Sequence, residues 1–116
     1  MKKTKMFKKN YEFRKVLSKG KYYSGEVIEA FILKNNQKEN FLGIAINTKI
    51  GTAVKRNKIK RLFRESYNSL EEVLNDGQSI VFLWKKKQSI EKATYKNIHQ
   101  DMYNIFDKAK ILLEEK

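Results

Sequence analysis

At 116 residues the chain has room for one domain with a modest core. Its formal net charge of +13 argues for a polyanionic partner, nucleic acid before an anionic membrane, and its 41% hydrophobic content separates it from a disordered basic tail. Cysteine is absent, which excludes disulfides, Cys-ligated zinc and thiol catalysis, and no apolar run approaches the ~20 residues of a bilayer span or the unbroken core of a signal peptide; a cytoplasmic location with no membrane partner is expected.

Residues 1–9 are basic and read as loose, with Met6 and Phe7 the first side chains placed to reach a core. Asn10 can cap a short helix through Lys19 that Gly20 ends, with Phe13, Val16 and Leu17 on one apolar stripe. Residues 21–23 suit a short edge strand, broken at Ser24-Gly25. The stronger strand is 27–33, apolar on both sides: Ile28, Ala30 and Ile32 face one way, Val27, Phe31 and Leu33 the other, with Glu29 intruding on the second. A polar turn over 34–40 leads to a strand at 41–47 that aligns Leu42, Ile44 and Ile46. Its other face is small, Gly43 and Ala45, and would let a backbone or a flat ring come close.

The stretch 49–65 organises the chain. It holds seven basic residues, Lys49, Lys55, Arg56, Lys58, Lys60, Arg61 and Arg64, against one acid, Glu65. Of four arginines in the chain, Arg56, Arg61 and Arg64 fall within nine residues. Arginine carries a planar fork that grips phosphate at two points, so its concentration here suggests a site where geometry matters as well as charge. Gly51-Thr52 supplies a break and a capping hydroxyl, so a helix should begin at Ala53. Ile59, Leu62, Phe63, Ser66, Tyr67 and Leu70 share its apolar stripe, while Asn57, Arg61, Arg64 and Asn68 project from the opposite side. Lys49, Lys55 and Arg56 crowd the helix start, where the backbone already carries partial positive charge. A bound phosphate would resolve that conflict; an ordinary solvated basic face is the competing reading.

Asp76-Gly77 marks a turn, and the continuous apolar run 80–84 reads as a buried strand closed by Lys85-Lys86-Lys87. A last helix is expected from about Thr94 to near the end, carrying Tyr95, Ile98, Met102, Ile105, Phe106, Ala109, Leu112 and Leu113. The order is αβββαβα, a single α+β domain in which helices pack on a sheet as a two-layer sandwich.

No catalytic constellation is visible. His99 and Asp101 are two apart on a helix and point to different faces, so a solvated histidine is expected. Glu71-Glu72 and Glu114-Glu115 are adjacent pairs rather than facing ones, and no cluster has metal-ligand spacing. Phe13, Leu17 and Phe31 could all be core. Yet an aromatic left on the open face of a sheet, among basic residues, is a platform for stacking single-stranded bases.

The stretch 49–65 also resembles the signature helix of the bacterial ribonuclease P protein component, whose pattern runs Lys-Lys-x-Gly-x-Ala-x-x-Arg-Asn-Arg-x-Lys-Arg-x-x-Arg-Glu. Lys49, Gly51, Ala53, Arg56, Asn57, Lys60, Arg61, Arg64 and Glu65 match it in register. Thr48 and Lys58 depart from it, at the first lysine and at the second arginine of Arg-Asn-Arg. The resemblance implies a sheet of about four strands with a left-handed βαβ crossover through the basic helix, where general rules of chain connection favour the right hand. It implies a protein monomer within a ribonucleoprotein, with catalysis by the RNA subunit and its bound Mg²⁺ and none held by the protein. The catalytic RNA would bind Lys49, Lys55, Arg56, Asn57, Lys58, Lys60, Arg61 and Arg64. The 5′ leader of precursor tRNA would enter a cleft with Phe13, Leu17 and Phe31, leucine standing where an aromatic is common. A ribosomal-type RNA-binding protein without a processing role is the alternative, and the identity of the co-purifying RNA separates the two.

Overall fold

The computed structural model describes residues 3–113. Its elements in chain order are β1 (Thr4–Met6), α1 (Asn10–Lys19), β2 (Lys21–Ser24), β3 (Ile28–Lys34), β4 (Asn40–Ala45), α2 (Ala53–Leu70), β5 (Gln78–Trp84) and α3 (Tyr95–Lys108), with 3-10 turns at Glu71–Val73 and Ile90–Lys92. One five-stranded sheet has the order β1-β4-β5-β3-β2. β4 pairs in parallel with both β1 and β5, whereas β3 is antiparallel to β5 and β2. Parallel neighbours need a long crossover, and α2 is the one that joins β4 to β5.

The expected αβββαβα order and α+β class stand, with one strand more than the four anticipated. That strand is β1, which corrects the reading of residues 1–9 as loose. Its three residues carry no apolar alternation; what holds them is tertiary. Thr4 is buried and its hydroxyl shares a 2.5 Å hydrogen bond with the Tyr67 hydroxyl of α2. The Lys3 amide donates to the buried Glu71 carboxylate at 3.3 Å. Burial pushes the Tyr67 phenol up to about 12, with nearby Glu71 adding to the rise and hydrogen bonds with Thr4 and Asn40 opposing it.

The main core lies between the sheet and the pair α2–α3. Ile28, Ala30 and Ile32 of β3, Leu42 of β4, and Ile80, Phe82 and Trp84 of β5 point into it. They meet Ile59, Phe63, Tyr67 and Leu70 of α2 and Ile98, Met102, Ile105 and Phe106 of α3. Phe82 sits between Phe63 and Phe106, with ring centroids 5.9 and 5.8 Å away. Burying such a side chain contributes about 1.5–3 kcal/mol, so this layer carries most of the stability.

Helix boundaries follow their caps where a cap exists. The Thr52 and Thr94 hydroxyls accept from the Lys55 and Asn97 amides, so α2 begins at Ala53 and α3 at Tyr95. Asn10 does not cap α1. It is the first helical residue, and Lys9 precedes it without a side-chain hydrogen bond. Gly20 ends that helix in extended rather than left-handed backbone (φ −70°). Glycine is required there by space, because a Cβ would stand 2.5 Å from the Val16 carbonyl oxygen. α3 stops at Lys108, short of the expected Ala109, Leu112 and Leu113: Lys110 turns left-handed (φ 59°), Ile111 folds into the core, and Leu112 bridges Leu74. The Glu114-Glu115 pair lies outside the described residues.

Candidate nucleic-acid interface

The loop before α2 and its first turn form one tightly woven unit. The Asn47 side-chain oxygen accepts from the Lys49 amide at 2.8 Å, Gly51 takes φ +64°, and the Arg56 guanidinium donates to the carbonyls of Thr48 and Gly51, both at 2.9 Å. Arg56 is half-buried as a result. Part of its fork is spent on fixing the loop that carries Lys49, a role the sequence pattern did not signal. Lys49, Lys55, Asn57, Lys58, Arg61 and Arg64 are exposed and Lys60 is half-exposed. Arg61 makes a loose 4.0 Å ion pair with Glu65 one turn on. Arg64 has no ion pair or hydrogen bond among the described residues. The first turn of α2 contains no acid, so free N–H groups, lysines and arginines all present positive charge at one end of the crossover.

The second face of the sheet is built differently. Register pairs Gly43 with Val81, Val81 with Phe31 and Phe31 with Tyr22, a row running across β4, β5, β3 and β2. The next row is Ala45, Leu83, Glu29 and Ser24. α1 lies on this face. The edge of the Phe13 ring would stand 2.9 Å from a Cβ added at Gly43, and Phe7 3.0 Å, so the flat ring that the small Gly43 surface admits comes from the chain itself. Phe7 meets Phe13 edge-on at 6.2 Å and stacks on Phe41 at 5.9 Å. Phe31 packs against Tyr22 with centroids 5.2 Å apart. Phe13, Leu17 and Phe31 are each half-buried, so none is core in the sense that Phe63 or Phe82 is. Phe13 and Phe31 therefore belong to this partly open face, with Phe7 and Tyr22 as ring partners that spacing alone did not reveal, and Leu17 lies one turn on from Phe13 along α1.

Tyr22 donates its hydroxyl to the Glu29 carboxylate, a bond that raises the phenol above its ordinary range. Lys85, Lys86 and Lys87, at the end of β5, border the same region.

His99 and Asp101 part company as their spacing implies. The Asp101 carboxylate is buried and accepts from the Val27 and Ile28 amides at 2.7 and 3.1 Å, holding the start of β3. His99 is only partly solvated: it stacks on Tyr95 at 5.3 Å, and its Nδ1 lies 3.1 Å from the Ser69 hydroxyl. Among the described residues no group of three or more His, Cys, Asp or Glu is placed to hold a metal ion, and no helix is long and apolar enough to cross a membrane.

A family model described as Ribonuclease P matches residues 1–110. The ribonuclease P protein component of Clostridium botulinum (strain 657 / Type Ba4) is 38% identical over 105 residues, covering 90% of this chain and 93% of that protein. That of Clostridioides difficile (strain 630) is 34% identical over 109 residues, covering 93% and 94%. Among solved structures, the Staphylococcus aureus RNase P protein superposes with a TM-score of 0.79 at 25% identity over 92% of this chain and 96% of that one. The Thermotoga maritima RNase P protein gives 0.79 at 25% identity over 90% and 96%. With the basic crossover helix and the sheet order in place, these matches are decisive: the chain belongs to the ribonuclease P protein family.

Proposed function

We propose that this chain is a monomeric cytoplasmic protein subunit that holds two RNAs on two sides of one sheet. The exposed cations of the α2 surface, Lys49, Lys55, Lys58, Lys60, Arg61 and Arg64, grip phosphates of the catalytic RNA, and Asn57 adds a hydrogen-bonding group. Arg56 contributes by shaping the loop and offering its remaining donors. The aromatic face between α1 and the sheet, with Phe13, Leu17 and Phe31, receives the single-stranded 5′ leader of precursor tRNA. Phosphodiester hydrolysis would belong to the RNA subunit, whose bound Mg²⁺ would activate the attacking water and stabilise the charge that develops on the phosphate and leaving oxygens. The protein's part is positional: its cations replace counterions along both backbones and lower the repulsion between two polyanions.

The observation that carries this reading is the placement of the two surfaces. α2 packs on one sheet face through Ile59, Phe63 and Tyr67, leaving Arg61 and Arg64 outward, while Phe31 and Glu29 alternate onto the other face. A chain that merely coated RNA would need the first surface and not the second.

The test is reconstitution. Rigorously RNA-free protein should cleave nothing, and adding its cognate RNA with Mg²⁺ should give cleavage at the mature 5′ end of a precursor tRNA. Steady cleavage by the protein alone that disappears in His99→Ala would overturn this division of labour.

A further inference from the structure

The outer side of α3 carries a ring pair that neither RNA surface described above uses. Tyr95 and His99, one turn apart, stack with centroids 5.3 Å apart and 21° between their planes. Core packing does not account for the pair, because Tyr95 is 42% exposed. One residue of α2 holds both rings. The Ser69 hydroxyl donates to the Ser66 carbonyl at 2.7 Å and accepts from the Tyr95 hydroxyl at 3.2 Å. Its single proton is then spent, so His99 Nδ1, 3.1 Å away, is the donor to its remaining lone pair. This fixes the tautomer. In the neutral ring Nε2 is an acceptor, and it has no hydrogen-bond partner among the described residues. His99 covers the Tyr95 ring from the C-terminal side, which leaves the other ring face turned back towards Lys92 and Ala93. Ala93 and Ile90 line a hollow of about 170 Å³ with Lys55, Lys58 and Ile59 of α2. Lys92 and Lys96, both exposed, flank Tyr95 in the chain. Of the neighbouring acids, Glu91 precedes Lys92, and Glu65, one turn before Ser69, is drawn to Arg61 at 4.0 Å. The ring pair is therefore continuous with the cationic surface at the start of α2.

We propose that Tyr95 and His99 form a stacking platform for one unpaired base of the catalytic RNA, with His99 Nε2 accepting from a ribose 2′-hydroxyl. The proposal rests on the reading that the α2 cations hold this RNA. Phosphate contacts fix an RNA in place without reading its sequence or its loops. An unpaired base laid on a ring adds a contact that only a particular fold of the RNA presents. A tyrosine already backed by a second ring and tied through its hydroxyl offers its free face with little further ordering. The 2′-hydroxyl is both donor and acceptor, so it can supply the proton that Nε2 lacks, and deoxyribose cannot. A second copy of this chain is the poorer occupant, since two bodies of charge +13 repel. Lysines 55, 58, 92 and 96 instead suit the phosphates on either side of a stacked nucleotide.

The experiment assembles the full chain with its catalytic RNA, as wild type, Tyr95→Leu, Tyr95→Phe, His99→Ala and Arg64→Ala. Affinity is measured at several salt concentrations, and chemical modification reports which unpaired nucleotides the protein covers. Thermal unfolding gives the folded fraction by which each affinity is corrected. Tyr95→Leu should bind about tenfold more weakly with the salt slope of wild type, because a stacked base releases no counterion. One nucleotide that wild type protects should become reactive in the same variant. Tyr95→Phe keeps the ring and should stay within about twofold of wild type. A 2′-deoxy substitution at or beside the protected nucleotide should cost wild type about threefold, the size of one hydrogen bond, and cost His99→Ala nothing further. Wild-type affinity and protection in Tyr95→Leu would overturn the platform. So would a loss that Tyr95→Phe shares in full, which would assign the effect to the tie with Ser69. A deoxy penalty that persists in His99→Ala overturns the acceptor role. If Tyr95→Leu weakens only precursor tRNA binding to the assembled holoenzyme, the occupant is substrate and the proposal falls. Unchanged affinity and salt slope in Arg64→Ala would overturn the α2 reading itself, whatever Tyr95 does.

Discussion

Two arginines eight residues apart divide the work of the basic helix. Arg64 is exposed, without an ion pair or hydrogen bond among the described residues, whereas Arg56 ties two loop carbonyls. Arg64→Ala should weaken binding to the catalytic RNA by about 1–3 kcal/mol and flatten the slope of log K against log salt by about one unit, with the melting temperature unchanged. Arg56→Ala should lower both affinity and melting temperature, because it removes hydrogen bonds that each contribute about 0.5–1.5 kcal/mol. Binding isotherms at several salt concentrations, alongside calorimetry, separate the two behaviours. Tyr67 offers a residue-scale test of the N-terminal clasp. Its phenol rises from the ordinary 10.0 to about 12 in the folded chain. The folded state therefore keeps a proton that the unfolded chain releases first. Its contribution is complete below pH 10 and is lost as pH rises from about 10 to 12, on the order of 2–3 kcal/mol. Urea unfolding across that window should show wild type losing stability relative to Tyr67→Phe, even though the substitution starts weaker by the Thr4 hydrogen bond.

At the scale of elements, the sequence was legible wherever local chemistry and tertiary demand agree. Gly51-Thr52 locates the start of α2 because a positive φ and a capping hydroxyl are both local requirements. Alternation in β3 separates Ile28, Ala30 and Ile32 from Phe31 and Leu33 because one face is covered by α2 and α3; Val27, expected on the side of Phe31, precedes the strand and is buried in the main core instead. β1 was illegible for the opposite reason: Thr4 is held by a tyrosine 63 positions away, and two lysines flank it. The periodic tail of α3 misled because Ile111 and Leu112 satisfy their apolar character by folding back on the core and Leu74, not by continuing the helix. Gly43 shows how one strand position governs the candidate cleft. A methyl there would press on Phe13 and Phe7 at 2.9 and 3.0 Å. Gly43→Ala should destabilise the fold by about 1–3 kcal/mol through overpacking and lower leader affinity by displacing α1. Unfolding and leader-binding measurements on this one variant check both effects; unchanged leader affinity would mean α1 does not line the cleft.

For the whole molecule, a charge of +13 on 116 residues explains affinity for RNA but not selectivity. Selectivity requires the asymmetry between a cationic helix on one side of the sheet and half-buried rings on the other. The first was visible as a run of arginines and lysines. The second was only partly visible, since Phe13, Leu17, Phe31 and the intruding Glu29 could be named while Tyr22 and Phe7 join them through register and packing. The most direct measurement is the ratio of holoenzyme affinities for precursor and mature tRNA, compared between wild type, Phe31→Ala and Arg64→Ala. Stacking is worth about 1–3 kcal/mol per base, so Phe31→Ala should reduce the ratio by about tenfold or more. Arg64→Ala should weaken assembly with the catalytic RNA and leave the ratio as in wild type. A ratio that Phe31→Ala leaves unchanged, with only its melting temperature lowered, would contradict the account by making the ring part of the core and nothing more.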